Sequence, residues 1–439
     1  MRRAASGIAG APWAPYSLAG TLLLIDYLLL SRGLSHVRAG FDYGPWALER
    51  GLYSDVLNLS LLHYLRFGGV IHPLPYVHDR IEYPVLIGFV LWLPSWLPGG
   101  PASWLAAAGL LNAAAAFGCI RLVGRLRPRS VWWIAASPAL LLDAAINWDL
   151  IGIFFLVAAV VWFAEERYGW SGTAAALGVC FKLFPVAVVP VALAALGSRW
   201  WRSSTALHPE PPTRDGHLPG GGEGEVQAGA AGGSLGRWLT PFAVVCAVVF
   251  LPLLAIAPSN TWWFVRFNDI RLQKDSVWGL LGRWVSQSVL SNAHINAASL
   301  LVVVVAMAYA AWRVWHLPAD CQARGVALAT AFVVIVWMAV NKIWNPQYVL
   351  WVFAAGALTA MPAWFGVALG AFSFYDWWFE FSLRLPTRPL AYQGVGQSAI
   401  VIRVVLFAAM AWWAARELRR LVPEPALTRL DRTAAPTAS

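Results

Sequence analysis

Asp42 sits among aromatics in "FDYGPWALERGLYSDV" (41–56) and opens a set of polar residues in an otherwise apolar chain. Glu49, Arg50, Asp55, Arg66, His72, His78, Asp79, Arg80, Glu82 and Tyr83 follow it. "INWDL" (146–150) supplies Asn147 and Asp149, and "FKLFP" (181–185) supplies Lys182. "RFNDIRLQKDSVWGLLGRW" (266–284) carries Arg266, Asn268, Asp269, Arg271, Lys274, Asp275 and Arg283. "VNKIWNPQYVLW" (340–351) carries Asn341, Lys342, Asn345, Gln347 and Tyr348. Several cations with a few carboxylates suit transfer of a group from an anionic carrier. Lys and Arg meet phosphate charge, and one carboxylate takes the proton of an attacking hydroxyl. A sugar on a lipid-linked phosphate needs that set, and it does not need the paired acids of a hydrolase.

The elements that must bring these residues together are membrane helices. The chain has 439 residues, 59% hydrophobic and only 12% charged, with a mean hydropathy of +0.59. Soluble domains carry about 25% charged residues. The 27 Trp suit headgroup-level anchoring. A net charge of +10 points to cytoplasmic loops facing anionic lipid, and no basic-aromatic patch argues for nucleic acid. Cys119, Cys180, Cys246 and Cys321 form no CxxC and have no His at metal-ligand spacing, so they read as structural, with no disulfide framework and no zinc site. "MRR" and the apolar run 16–31 read as an uncleaved first membrane helix, because no A-x-A site follows.

Hydrophobic runs lie at about 16–31, 82–98, 101–120, 131–146, 150–164, 171–198, 239–257, 295–312, 326–340, 346–360, 363–381 and 399–415. With Arg2 and Arg3 inside, Asp42 is outside, and "RLVGRLRPR" (121–129) must return inside. Only one of the two runs between them can then cross. The run 82–98, broken by Pro84, Pro94 and Pro98, is the one expected to stay at the outer interface. Lys182 and Pro185 split 171–198 into two helices meeting at an outer tip, since a lysine at the membrane centre is costly. The result is about twelve crossings in an all-α bundle with extracytoplasmic juxtamembrane loop helices. Both termini are cytoplasmic, and all the polar segments above face the outside. Residues 203–236 read as a flexible cytoplasmic loop, and 421–439 as a disordered tail. Residues 1–420 form one domain. Asp26 and Asp376, within apolar runs, are expected to face protein.

This pattern resembles the GT-C superfamily of integral-membrane glycosyltransferases, and within it glycosyltransferase family 87, the polyprenyl-phosphate-mannose α-mannosyltransferases. The resemblance runs over about residues 15–415. It is carried by "FDYGPWALERGLYSDV", by "EYPVL" at a Tyr-Pro-Pro position, and by "ALGVCFKLFPV" at a Gly…Lys…Pro helix break. "RLQKDSVWGLL" and "NKIWNPQYVLW" add to it, the latter being similar to a Lys-x-x-Ser-Pro-Gln-Tyr segment with Asn345 at the Ser. Val85 replaces the second proline, and "INWDL" replaces a Gly-Gln-x-Asn pattern. The resemblance implies a GT-C-type bundle and transfer of a sugar, mannose, from a polyprenyl-phosphate donor to a lipid or glycan acceptor. It places the active site on the extracytoplasmic face of a plasma membrane. Asp42 is then the catalytic base, and Lys182 and Lys342 hold the donor phosphate. Tyr83, Asn147, Asp149, Arg266, Arg271, Gln347 and Tyr348 complete the expected substrate contacts. No metal or other cofactor is demanded. The Ala/Arg/Gly/Trp-rich usage fits a GC-rich bacterial genome.

Each residue also has a plainer reading. Asp149 can cap the helix that follows it, Lys182 can snorkel at a helix tip, and Arg266, Arg271 and Lys274 can neutralise Asp269 and Asp275. A transporter or lipid flippase, and a non-catalytic membrane subunit, are the rival functions. The first would need a polar path through the midplane and repeated halves.

Overall fold

The computed structural model describes residues 12–38, 43–60, 74–206, 223–272, 275–285, 290–383 and 389–421. These residues form helices and turns and no strand, with one isolated bridge between Pro75 and Asp79. A helix satisfies its own backbone donors and acceptors, which lipid requires. Among the described residues, seven helices are long and apolar enough to cross a bilayer: Ala14–Val37, Pro101–Leu126, Phe184–Thr205, Gly233–Ile256, Asn292–Trp315, Ala319–Val340 and Val395–Arg420. Several turn large aliphatic side chains outward, among them Val244, Val248, Leu251, Leu300, Leu301 and Val305. Water would penalise such a surface, and lipid does not. The chain is an all-α polytopic membrane protein.

About twelve crossings were expected, and the remaining hydrophobic runs form shorter or broken helices. The run 131–146 is cut at Pro138 into Trp132–Ala135 and Ala139–Leu142, because proline lacks the amide donor and crowds the preceding turn. Asp149–Ala164, Tyr168–Phe181, Val349–Thr359 and Ala363–Trp378 have 16, 14, 11 and 16 residues. Every residue of Val349–Thr359 is buried, as a helix apolar on all sides must be. The run 82–98 holds only Val85–Trp92 and the 3-10 turn Leu93–Trp96. Eight helical residues rise only about 12 Å, too little to span.

The break at Lys182 is as the sequence suggests. Tyr168–Phe181 ends there, the Lys182 backbone is extended, and a 3-10 turn at Phe184–Ala187 leads into Val188–Ala206. The loop expected over 203–236 needs correction. Val188–Ala206 takes in its start, and Glu223–Ile256 is one helix that takes in its end. The Ala, Glu and Gln of "EGEVQAGAAGG" are good enough helix formers to extend a helix already nucleated by the apolar run behind them. Residues 207–222 of that loop, and the expected tail from 422 onward, lie outside the described residues. Asp26 and Asp376 do face protein: the Ala145 amide donates to Asp26 at 2.7 Å, and the Trp344 indole donates to Asp376 at 2.7 Å.

The helices join two polar ends. One is rich in arginine: Arg125 pairs with Glu165 at 2.6 Å, Arg199 donates to the Tyr168 hydroxyl at 2.6 Å, and Arg324 and Arg420 flank Glu417. At the other end, Asp55, Asn147, Lys182, Arg271 and Lys342 come together around two cavities.

Candidate active site

Asp55 starts the short helix Asp55–Ser60 and is held at its backbone and at its side chain. Its amide donates to the Ile146 carbonyl at 2.7 Å, and the neighbouring Ser54 hydroxyl donates to the Ala145 carbonyl at 2.8 Å. The turn before Asp149 therefore docks directly on this segment. Tyr53 donates to Asp55 Oδ1 at 2.9 Å, and Tyr83 donates to Oδ2 at 3.2 Å. The two N–H groups of the Asn147 amide reach Asp55 Oδ2 at 2.9 Å and the Tyr83 hydroxyl at 2.8 Å. Its oxygen accepts from the Trp148 amide at 2.7 Å, so the side chain is fully committed. These donors fix the carboxylate, and Asp55 lines a cavity. Burial, with the Asp55 charge beside them, pushes the Tyr53 and Tyr83 phenols up, so both stay protonated donors at neutral pH.

Tyr83 is itself set by Tyr76. Tyr76 is fully buried in a left-handed backbone conformation, φ 64°, which costs an aromatic residue roughly 1–3 kcal/mol. Its hydroxyl recovers some of that by donating to the Tyr83 carbonyl at 2.9 Å and the Pro84 carbonyl at 2.8 Å, and it accepts from the Gly88 amide. The ring lies where a Cβ on Gly88 would be, at 2.3 Å. Gly88→Ala is therefore expected to displace Tyr76, cost about 1–3 kcal/mol, and lower the melting temperature in detergent. A melting curve unchanged from wild type would refute the Tyr76 lock.

Lys182 is 5% exposed and lies against Asp149, with Nζ 3.4 Å from Oδ1. The Trp351 indole donates to the same oxygen at 2.9 Å. Asp149 is the first residue of its helix, its carboxylate makes no cap bond, and it lines neither cavity. It stands behind Lys182, neither capping the helix nor lining either cavity. Gly152 makes the fit possible: a Cβ there would meet the Lys182 stem at 3.2 Å and the Trp351 ring at 3.0 Å. Past Asp149, Lys182 Nζ sits over the Tyr83 ring at 4.5 Å to the centroid.

Lys342 is also spoken for. Its ammonium donates to the Asn268 carbonyl at 2.6 Å, the Asp269 carbonyl at 3.0 Å and Asn292 Oδ1 at 3.3 Å. The two carbonyls end the helix Trp263–Ile270, so Lys342 caps a helix C-terminus, where the backbone dipole favours a cation. Burial lowers its pKa, and Asp269 opposes that. The cap fixes the next residue, Arg271, whose guanidinium lies over the Phe267 ring at 5.2 Å and pairs with no carboxylate among the described residues. Arg271 does not neutralise Asp269, which accepts from Asn296 at 2.6 Å. Arg266 is exposed and lines neither cavity, so the structure does not bring it to the site.

Two cavities meet here. One, about 500 Å³, is lined by Tyr53, Asp55, Asn58, Glu82 and Glu380. The other, about 380 Å³, is lined by Asn147, Lys182, Lys342 and Tyr348, with Phe184, Phe264, Leu300 and Trp337 as apolar wall. Tyr83, Arg271, Asn345 and Gln347 line both. Asp55, Glu82 and Glu380 line one side of this shared wall, and Lys182 and Lys342, with Asp269, line the other. Asp42, the base expected from sequence, lies outside the described residues, as do Arg66, His72 and Lys274.

Asp55 is what the sequence reading passed over as an actor. It stood among the polar residues of the first loop, and its only local signal is Tyr53 two residues before it. Its decisive partner, Asn147, is 92 positions away. The described residues contain no group of three or more His, Cys, Asp or Glu placed to hold a metal. No family model matches the chain, and no curated protein was found to match it. Fold and site together define a polytopic helical membrane protein with paired polar cavities at the end opposite its arginine-rich one.

Proposed function

We propose that this protein is a membrane glycosyltransferase. It transfers a sugar, by resemblance mannose, from a polyprenyl-phosphate donor to a lipid or glycan acceptor on the extracytoplasmic face. The observation that carries the reading is Arg271, a guanidinium without a carboxylate partner among the described residues, at the junction of a basic and an acidic cavity. The donor phosphate fits the basic side, with Arg271 and Lys182 toward its charge and the aromatic and aliphatic wall toward its chain. The acceptor hydroxyl fits the acidic side, within reach of Asp55 Oδ1.

In the step this implies, Asp55 takes the hydroxyl proton as the oxygen attacks the anomeric carbon. The bond from that carbon to the phosphate oxygen breaks, and its electron pair leaves on polyprenyl phosphate, where Arg271 and Lys182 meet the added charge. One displacement inverts the donor's anomeric configuration. Asp55 takes the role that the resemblance gives to Asp42. The site end lies opposite the arginine-rich end, which the positive-inside rule assigns to the cytoplasm. The twelve-crossing bundle belongs to this reading, with the short and broken helices passing between the same two ends.

The test is transfer from radiolabelled polyprenyl-phosphate-mannose to native lipid acceptors in membranes of an expressing host. Arg271→Gln at matched protein level is expected to lower transfer by on the order of 10²-fold, as loss of one donor to a developing oxyanion does elsewhere. Wild-type activity in the variant would overturn the placement of the phosphate. Absence of transfer by the wild type with several sugar donors would favour the transporter or subunit reading.

A further inference from the structure

Gln347 lies where the two cavities meet, with its amide uncommitted. It is 2% exposed and lines both cavities, and its side chain has no hydrogen-bond partner among the described residues. A buried amide is costly when left unmatched, so one that opens on a cavity points to a ligand there. The turn that carries it is held firmly. Pro346 starts the 3-10 turn Pro346–Tyr348, and the Tyr348 amide donates to the Asn345 carbonyl at 3.0 Å. The Tyr348 ring packs edge-on against Phe184 and Trp344. The other residues that line both cavities are engaged. Tyr83 donates to Asp55 and accepts from Asn147, and the Asn345 amide donates to the Tyr348 hydroxyl at 3.4 Å. Arg271 faces the phosphate in the transferase reading.

What must lie across this junction is the group in transit. With the phosphate in one cavity and the acceptor hydroxyl in the other, the sugar ring falls between them, against Gln347. Resting on the transferase reading, we infer that Gln347 binds the transferred sugar itself, through two neighbouring ring hydroxyls, and so sets which sugar is accepted from the donor. A primary amide carries N–H donors and a carbonyl acceptor side by side. Hydroxyls on adjacent carbons offer a donor and an acceptor at a matching spacing, whereas a phosphate offers acceptors alone. The phosphate therefore suits Arg271 and Lys182, which only donate, and the acceptor hydroxyl has Asp55. The amide is left for the ring between them. A buried group built to bond a hydroxyl rejects the analogue that lacks it far more strongly than an apolar pocket rejects an added group.

The experiment compares the full-length wild type in detergent with Gln347→Met, which keeps the length of the side chain and removes the amide. Kd is measured calorimetrically for polyprenyl phosphate and for polyprenyl-phosphate-mannose. The variant should bind the mannosyl lipid about tenfold or more weakly, and bare polyprenyl phosphate within about twofold of wild type. Its melting temperature without ligand should equal or exceed that of wild type, because an amide kept for a ligand contributes nothing to the empty protein. Transfer in membranes of an expressing host is then followed with radiolabelled donors whose mannose lacks the 2-, 3- or 4-hydroxyl. In wild type, two adjacent losses should each lower kcat/KM by about tenfold or more, and in the variant the same losses should shrink to under about threefold. Gln347→Leu takes the place of the methionine variant if that does not fold. Equal weakening for both lipids, deoxy losses that persist in the folded variant, or a melting temperature lowered in both variants would overturn the inference, while transfer by the wild type upheld the transferase reading. Selective weakening of the mannosyl lipid without any transfer would do the reverse. Neither binding nor transfer by the wild type would sink both.

Discussion

Asp55→Asn is expected to reduce sugar transfer by roughly 10²–10⁴-fold, the range that loss of a general base produces, while leaving the protein folded. The asparagine oxygen can take the place of Oδ2, which accepts from Tyr83 and Asn147, while its N–H donates to the Tyr53 hydroxyl that now donates to Oδ1. The docking of the segment does not depend on the carboxylate, because the Asp55 amide and the Ser54 hydroxyl bond to the 145–146 backbone. What is lost is the proton acceptor. The comparison that gives the result meaning is Asp42→Asn in the same membranes. A large loss at position 55 with a small one at 42 would assign the base to Asp55. The opposite pattern would return the role to Asp42 and make the Tyr53–Asp55–Tyr83–Asn147 cluster a scaffold. Donor consumption should be followed separately, since on the proposed reading an enzyme lacking its base would still bind polyprenyl phosphate through Arg271 and Lys182. A fall in transfer with unchanged donor affinity is the expected signature.

Much of the fold was legible because its signals are local. Apolar runs of membrane length, the proline after Lys182, and the short proline-bounded run after Tyr83 each declare themselves within a few residues. The break in the run 131–146 is harder to read, because hydropathy counts Pro138 as one residue among sixteen, while the backbone treats it as a missing hydrogen bond. The site was legible only in part, because its assignments are tertiary. That Lys342 also meets Asn268 and Asp269, more than seventy positions earlier, at the end of a helix is visible only in the fold. Arg266 and Arg271 look alike in sequence, yet Arg266 lies within the helix Trp263–Ile270 while Arg271 is the extended residue just past its end. One lines the cavities and the other is exposed. Gln347 and Tyr348, which line a cavity, could be named from sequence because the turn that holds them is also the most specific part of the resemblance.

The second large effect concerns the Lys182–Asp149 pair. Their side chains are 7% and 1% exposed, so each charge depends on the other. Removing one partner of a buried pair typically costs about 3–5 kcal/mol, because the remaining charge is stranded. Lys182→Met leaves the Asp149 carboxylate with the Trp351 indole alone; Oδ2 already has no partner. That variant should be poorly stable in detergent and inactive. Inactivity alone would not separate a misfolded protein from one lacking its phosphate ligand. The double variant Lys182→Met/Asp149→Asn does separate them. It removes both charges, keeps the methylene packing against Gly152 and an acceptor for Trp351, and should regain at least half of the lost stability. Transfer should not return, because the basic cavity still lacks the cation that lies over Tyr83. Recovery of stability without activity would place Lys182 on the donor phosphate and Asp149 behind it as the residue that keeps a lysine affordable at that depth. Recovery of both would make the pair purely structural and leave Arg271 alone to meet the phosphate charge.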